Sequence, residues 1–374
     1  MLRILTDQNI YKLDQFLPEE IELITYDPER PMPGLEGFDA LLVRSLTKLN
    51  ELIIPVIPES LKLIGTGSSG SDHIDIDYFE KKGVKLIDAK GSNANAVSEY
   101  VITSLLLWSI KKSRNLSNLK IGIIGAGATG TSVKNQLSKF GIPSCSYDPP
   151  RQVRESDFES ASLDEVLSCD ILTFHVPLIR KGDHTTFHWL DEEKLHGRSF
   201  ELVINASRGG VINELALLEA IENNIISDVI IDVWEDEPNF NTALVEKAFI
   251  ATPHIAGYSE QAKLNASKML AEKLSLFFEF DLPDYSCLYT PKRLDIANLN
   301  YSLYEFILRL HPLREYDADL RELCLRPDKK ILFQRLRIDR PYRFEYPYLE
   351  LCKNLINGLE TLNILGVKTF NENP

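Results

Sequence analysis

Leu119-Lys-Ile-Gly-Ile-Ile-Gly-Ala-Gly-Ala-Thr-Gly130 is the stretch that decides the fold. Leu119–Ile124 reads as an apolar strand, the glycines as a turn, and the residues from Thr129 to about Phe140 as a helix. Gly125 permits the tight turn, Gly127 lets backbone approach a pyrophosphate, and Gly130 lets the helix pack closely on the strand. The start of the helix, at Thr129, then offers N–H groups to an anion. A glycine pattern alone can be an ordinary turn, but its place between a strand and a helix points to dinucleotide binding.

Working outward, the strand Ser144–Tyr147 ends at Asp148, whose carboxylate can bind the adenosine ribose hydroxyls and repel a 2′-phosphate; this favours NAD over NADP. The alternative is a plain strand-end turn, because Asp before Pro is a common turn signal and Arg151 leaves room for a phosphate. Apolar segments at Ile171–His175, Leu202–Asn205, Val229–Val233 and Phe249–Ala251 complete a doubly wound sheet that closes near Thr252. On the other side, Leu2 to Gly91 alternates aliphatic runs with helix-like segments, the rhythm of a second parallel α/β sheet. Between them Ala94 to about Lys111 carries Val97, Val101, Leu105 and Trp108 at helical spacing and is expected to bridge two domains. After an amphipathic helix, Gln261 to about Phe278, the stretch Asp281-Leu-Pro-Asp-Tyr285 marks a boundary. The remaining residues are rich in aromatics and arginines, among them Arg335, Arg337, Arg340 and Arg343, and read as a small α+β unit whose arginines could serve an anionic ligand across a dimer interface or form oligomer contacts and solvated faces.

With 374 residues, 44% of them hydrophobic and 26% charged, a multidomain globular protein is expected. The formal net charge of −14 disfavours nucleic acid as a partner, since phosphate binding needs a cationic surface. The most apolar helical stretch, Val101–Ile110, falls well short of the ~20 residues that span a bilayer. No membrane partner is expected, and the polar turn soon after Met1 makes the cytoplasm the default location. The five cysteines (Cys145, Cys169, Cys287, Cys324, Cys352) are dispersed and read as reduced, structural residues. His184 and His188 are spaced by four, but Thr185 and Thr186 intervene and no third ligand is evident, so no metal is expected.

Three ionisable residues, each in its own motif, suggest hydride transfer: Arg208 in Asn205-Ala-Ser-Arg-Gly-Gly210, Glu237 in Asp232-Val-Trp-Glu-Asp-Glu-Pro238 and His254 in Pro253-His-Ile-Ala-Gly-Tyr258. A guanidinium can grip a carboxylate through two charge-assisted bonds, which an ammonium cannot reproduce. An imidazole can take the hydroxyl proton of a 2-hydroxy acid, and a carboxylate on its other nitrogen would orient it and favour its charged form. Taken singly, each has a structural alternative: a turn-capping arginine, a glutamate flanking Pro238, a structural histidine after Pro253. Arg44 and Lys48, bracketing Ser45 and Thr47 at a strand end, could cradle a substrate phosphate or serve as surface ion pairs.

Together these motifs resemble the D-isomer-specific 2-hydroxyacid dehydrogenases, with further pointers in Leu42-Val-Arg-Ser-Leu-Thr-Lys48, Gly65-Thr-Gly-Ser-Ser-Gly-Ser-Asp-His73 and Asp148-Pro-Pro-Arg151. The resemblance implies an α/β protein with a Rossmann nucleotide-binding domain (93–255) inserted in a flavodoxin-like substrate domain (1–92 and 256–282), followed by a C-terminal α+β dimerisation domain (283–374). It implies a catalytic set of Arg208, Glu237 and His254, and an NAD site formed by Gly125, Gly127, Thr129, Gly130, Asp148, His175, Asp232 and Gly257. Ser45, Thr66 and Tyr258 would contact a small phosphorylated 2-hydroxy acid, and the protein would be a homodimer. The serine-rich Gly67-Ser-Ser-Gly-Ser71 loop departs from the family's more familiar alanine and threonine. A different class, an NAD-sensing binding protein on the same scaffold, would keep the same three residues.

Overall fold

The computed structural model describes residues 1–294, 301–352 and 359–370; the side chains of Cys352 and Leu359 lie outside that description. The chain falls into two compact units, Met1–Asn93 with Ser259–Thr290, and Ala94–Tyr258 with Pro291–Pro374. The first is built on five parallel strands, β1 (Arg3–Asp7), β2 (Glu22–Tyr26), β3 (Ala40–Val43), β4 (Leu63–Thr66) and β5 (Lys85–Asp88), in the flavodoxin-like order 2-1-3-4-5. Successive residues bury opposite faces: Leu5, Leu41 and Ile64 pack with Phe79, while Ile4, Leu42 and Leu63 pack under the helix Glu260–Phe278 through Leu264, Leu270 and Leu274. Burial on both sides is what the centre of a parallel sheet requires, and it explains why the fully buried β3 reads as an unbroken aliphatic run, whereas the edge strands β2 and β5 carry Glu22 and Lys85.

The second unit holds six parallel strands, β6 (Ile121–Ile124), β7 (Ser144–Tyr147), β8 (Ile171–Phe174), β9 (Phe200–Asn205), β10 (Ile226–Ile231) and β11 (Ile250–Ala251), in the order 11-10-9-8-6-7. The chain leaves β6 for one edge through β7 and returns beside β6 with β8, so the strand order reverses at β6/β8, where doubly wound sheets bind their ligands. Along β9, Leu202 and Ile204 enter one core and Val203 the other, each fully buried, for roughly 1.5–3 kcal/mol per side chain.

A smaller parallel sheet, β12 (Lys292–Leu294), β13 (Leu349–Cys352) and β14 (Lys368–Phe370), lies in the C-terminal segment. This segment shares a core with the nucleotide sheet: Phe306, Ile307, Leu310, Tyr346 and Leu349 cluster with Tyr100, Leu105 and Trp108 of the helix Ala94–Lys112. That helix is buried along nearly its whole length, with the helix Ala128–Lys139 against it as well. The helix Leu313–Leu323 closes the open edge of the sheet, since Asp317 accepts the β11 N–H of Ala251 at 2.8 Å and Arg321 donates to the carbonyls of Val245 and Ala248. Among the described residues no helix is long and apolar enough to cross a membrane.

Candidate active site

Because β6 to β11 are all parallel, the segments after their C-terminal ends open along one edge of the sheet. The glycine turn follows β6, His175 follows β8, Ala206–Gly210 follow β9, Asp232–Pro238 follow β10 and Thr252–Tyr258 follow β11. Residues far apart in sequence therefore meet at neighbouring strand ends.

Gly125 has φ +90°, and a Cβ there would lie 2.6 Å from the His175 carbonyl oxygen; a Cβ on Gly130 would lie 1.9 Å from the Gly125 carbonyl. Both positions therefore exclude a side chain. Gly127 meets nothing within 4 Å, so its open face leaves room for a ligand, and as N-cap of the helix Ala128–Lys139 it offers no side-chain cap to the first N–H groups. Thr129 sits half-buried in that first turn. Asp148 joins the turn to the next strand end, one oxygen accepting from Ala126 N at 2.8 Å and the other from Arg151 N at 2.9 Å. Arg151 is held by the Ala126 carbonyl, Thr131 and Glu155, so its charge is already compensated. An open glycine face, uncapped helix amides and a carboxylate at the second strand end fit a dinucleotide, and one without a 2′-phosphate.

His175 is buried against this turn, its Nε2 paired with Thr173 Oγ1 at 3.0 Å. Burial pushes its pKa down to about 3, so the ring stays neutral at physiological pH. Asp232 is also buried, and burial raises its carboxyl pKa against the pull of His254 and the hydrogen bonds it accepts. Those bonds come from Thr252 Oγ1 (2.6 Å), Ile255 N (2.7 Å) and Ala256 N (2.9 Å), while its own carbonyl accepts His254 N at 2.7 Å. In the structure Asp232 thus staples the loop that carries His254, and Gly257 lies half-buried one residue beyond that staple.

His254 sits at φ +58°, a left-handed conformation unusual for a side-chain-bearing residue and held here by these bonds. Its Nδ1 lies 2.7 Å from Glu237 Oε2, so Nδ1–H donates to the carboxylate and Nε2 is left for chemistry. The other oxygen of Glu237 accepts Trp234 N at 2.9 Å, which fixes the carboxylate plane. Burial alone would raise the Glu237 pKa; the charge and hydrogen bond of His254, then Trp234 N–H and the charge of Arg337, bring it below the ordinary carboxylate value.

The Arg208 loop adjoins this pair. Asn205 Oδ1 accepts from Ser207 N and Oγ, and Asn205 Nδ2 donates to the Arg208 carbonyl, which closes the turn. A Cβ on Gly209 would fall 1.8 Å from the Trp234 carbonyl oxygen, so this glycine lets the loop lie directly on the backbone leading to Glu237. Tyr258, four residues after His254, accepts a hydrogen bond from Arg337 Nη2 at 2.9 Å. In the first unit Ser45 is exposed with its N–H on Ser68 Oγ, while Thr66 is buried with its hydroxyl on His73 Nε2 at 3.1 Å. Arg44 donates to the Asn9 carbonyl. His188 is bound to Glu235 at 3.0 Å. Sequence reasoning missed the Asp232 staple and the Gly209 contact and named Arg337 only as one of the C-terminal arginines; only the Arg-Gly-Gly run hinted at a close approach.

Residues 106–256 match the family model described as the D-isomer specific 2-hydroxyacid dehydrogenase, NAD binding domain. An erythronate-4-phosphate dehydrogenase of Escherichia coli O1:K1 / APEC is 34% identical over 380 residues, covering 98% of both chains. One of Bacteroides fragilis (strain YCH46) is 34% identical over 348 residues, 92% of this chain and 97% of its own. Among solved structures, the D-lactate dehydrogenase from Aquifex aeolicus complexed with NAD and lactic acid is 25% identical with a TM-score of 0.59, covering 74% of this chain and 95% of that one. The NAD+-bound 3-phosphoglycerate dehydrogenase of Entamoeba histolytica shares the fold at 22% identity and a TM-score of 0.60, over 74% of this chain and 95% of its own. The chain belongs to the erythronate-4-phosphate dehydrogenases and carries the NAD-binding domain of the D-isomer specific 2-hydroxyacid dehydrogenases.

Proposed function

We propose that the protein oxidises 4-phospho-D-erythronate at C2 to 2-oxo-3-hydroxy-4-phosphobutanoate, an NAD-dependent step of pyridoxal 5′-phosphate biosynthesis. The observation that carries the chemistry is the 2.7 Å bond from His254 Nδ1 to Glu237, beside the Arg208 loop. The substrate follows from the relatives' name and near-complete coverage. Arg208 anchors the carboxylate of the acid, and the Nε2 of His254 accepts the C2 hydroxyl proton as the carbonyl forms. Glu237 stabilises the resulting imidazolium. When bound, NAD+ supplies the hydride acceptor; Gly125, Gly127, Thr129, Gly130 and Asp148 would hold it, with His175, Asp232 and Gly257 toward the nicotinamide. Ser45, Thr66 and Tyr258 complete the substrate contacts.

The test is turnover of purified protein with 4-phospho-D-erythronate, with a 2-keto acid present to recycle retained cofactor. Preference for an unphosphorylated acid, or for phosphoglycerate, would defeat the assignment. Cofactor binding without any turnover of hydroxy or keto acids would favour the sensor reading.

The same reading makes the protein a cytoplasmic homodimer joined through its C-terminal segment. Support comes from Leu325, Ile331 and Ile338, apolar side chains of that segment exposed by 86%, 66% and 58%, which burial in an interface would stabilise. Sedimentation velocity should give a dimer for the parent and a monomer for Leu325→Glu combined with Ile331→Glu; a dimeric double variant would refute this interface.

A further inference from the structure

We infer that Arg337, from the C-terminal segment, is a specificity-determining residue that binds the phosphate of the substrate, an inference that rests on the function proposed above. A phosphorylated hydroxy acid brings two anionic ends. Arg208 answers the carboxylate, and in a chain of net charge −14 a second cation must be held near the catalytic pair to answer the other.

The arginines of the C-terminal run divide by what they touch. Arg340 is bound to the carboxylates of Glu315 and Asp319, and Arg343 to Glu99, so their charges are spent on folding. Arg337, in the last turn of the helix Lys329–Ile338, instead donates Nη2 to the neutral phenol of Tyr258 at 2.9 Å. Its guanidinium stands 5.3 Å from the centre of the same ring, an attraction that costs none of its charge. Tyr258 is four residues beyond His254 on one loop, so this contact ties a cation to the segment that carries the histidine.

One further observation agrees: Arg337 is near enough to Glu237 for its charge to help hold that carboxylate ionised. A planar guanidinium already oriented by a phenol is well suited to phosphate oxygens, because less freedom is lost on binding.

The competing role is electrostatic, with Arg337 acting only through Glu237. Kinetics separate the two. Arg337→Gln should raise KM for 4-phospho-D-erythronate by about 10- to 100-fold with kcat within a few-fold, as loss of a charge-assisted contact to a non-reacting group predicts. Turnover of unphosphorylated D-erythronate should change less than about threefold. Competitive inhibition by inorganic phosphate should weaken in parallel, which supplies a phosphate readout should erythronate turn over too slowly. Arg337→Lys, which keeps the charge, should recover part of the loss and serves as the measured variant if the glutamine protein melts early. An equal loss on both substrates, a fall in kcat with a moved pH profile and unchanged phosphate inhibition, or no change in either variant would each overturn the inference. A parent enzyme indifferent to the phosphate would instead overturn the proposed function.

Discussion

Glu237→Gln keeps the shape of the side chain, removes its charge and turns one of its two acceptor oxygens into a donor. Both carboxylate oxygens accept, Oε2 from His254 Nδ1–H at 2.7 Å and Oε1 from Trp234 N–H at 2.9 Å, so the amide, with one acceptor oxygen, can keep the bond to His254 as a neutral one only by setting its NH2 against the Trp234 N–H. A hydrogen bond to a charged group is worth about 1.5–3 kcal/mol against 0.5–1.5 for a neutral one. The difference, roughly 1–2 kcal/mol, is gained only as the imidazole acquires the substrate's proton, so it acts on kcat and predicts a fall of about 5- to 30-fold. With the side chains of His254 and Glu237 31% and 21% exposed, solvent screening favours the lower part of that range. Steady-state kinetics of the oxidation measure this. A variant with kcat within twofold would refute the assigned role.

Arg208→Lys should raise KM for the acid by about 10-fold or more, since an ammonium loses one of the two charge-assisted bonds; an unchanged KM would remove Arg208 from the carboxylate. Burial pushes the Glu214 pKa from 4.5 up to about 7, so the folded state binds a proton that the unfolded chain has released. Its contribution is therefore full below pH 4.5 and is lost as pH rises through 7, by roughly 3 kcal/mol in all. Glu214→Gln should flatten that slope in urea titrations at several pH values, and parallel curves would contradict it. Burial holds the Glu99 carboxyl up at about 8 even with Arg343 alongside, so Arg343→Met should cost little while Glu99 is protonated and about 3–5 kcal/mol in the same assay once pH exceeds 8 and the carboxylate is left without its cation; a loss below about 1 kcal/mol above pH 8 would rule out a structural ion pair.

What was legible in the sequence was whatever backbone geometry demands locally. Gly125 and Gly130 stand out because a side chain at either would strike a carbonyl, and the helix begins at Ala128, one residue before its expected start. The central strands could be traced because they are buried on both faces and so aliphatic, as at β3, β6 and β8. Contacts between distant segments left weaker traces. Asp232 reads as part of a motif, but nothing local reveals that its carboxylate is spent on Thr252, Ile255 and Ala256. The C-terminal aromatics read as a unit of their own, whereas Tyr346 donates or accepts at Thr103 and is buried with Tyr100. The hint lay in the helix Ala94–Lys112, which carries Ile102, Leu106 and Leu107 besides its regular apolar stripe. A helix apolar on several sides needs a partner beyond one sheet.

That shared core bears on the chemistry. The loop holding His254 leaves β11, a two-residue strand with few ladder bonds of its own. Asp317 takes the N–H of Ala251, Tyr100 meets the Thr252 hydroxyl at 2.8 Å, and Thr252 passes that contact to Asp232, which binds the next turns of the loop. The left-handed conformation of His254 persists because this chain of bonds over-determines it. A short strand at a sheet edge would otherwise fray, and an imidazole displaced by even one ångström would lose its alignment with Glu237. Under the proposed mechanism the C-terminal segment would act on catalysis within a single chain, by stiffening the edge that presents His254, whatever it also does between chains.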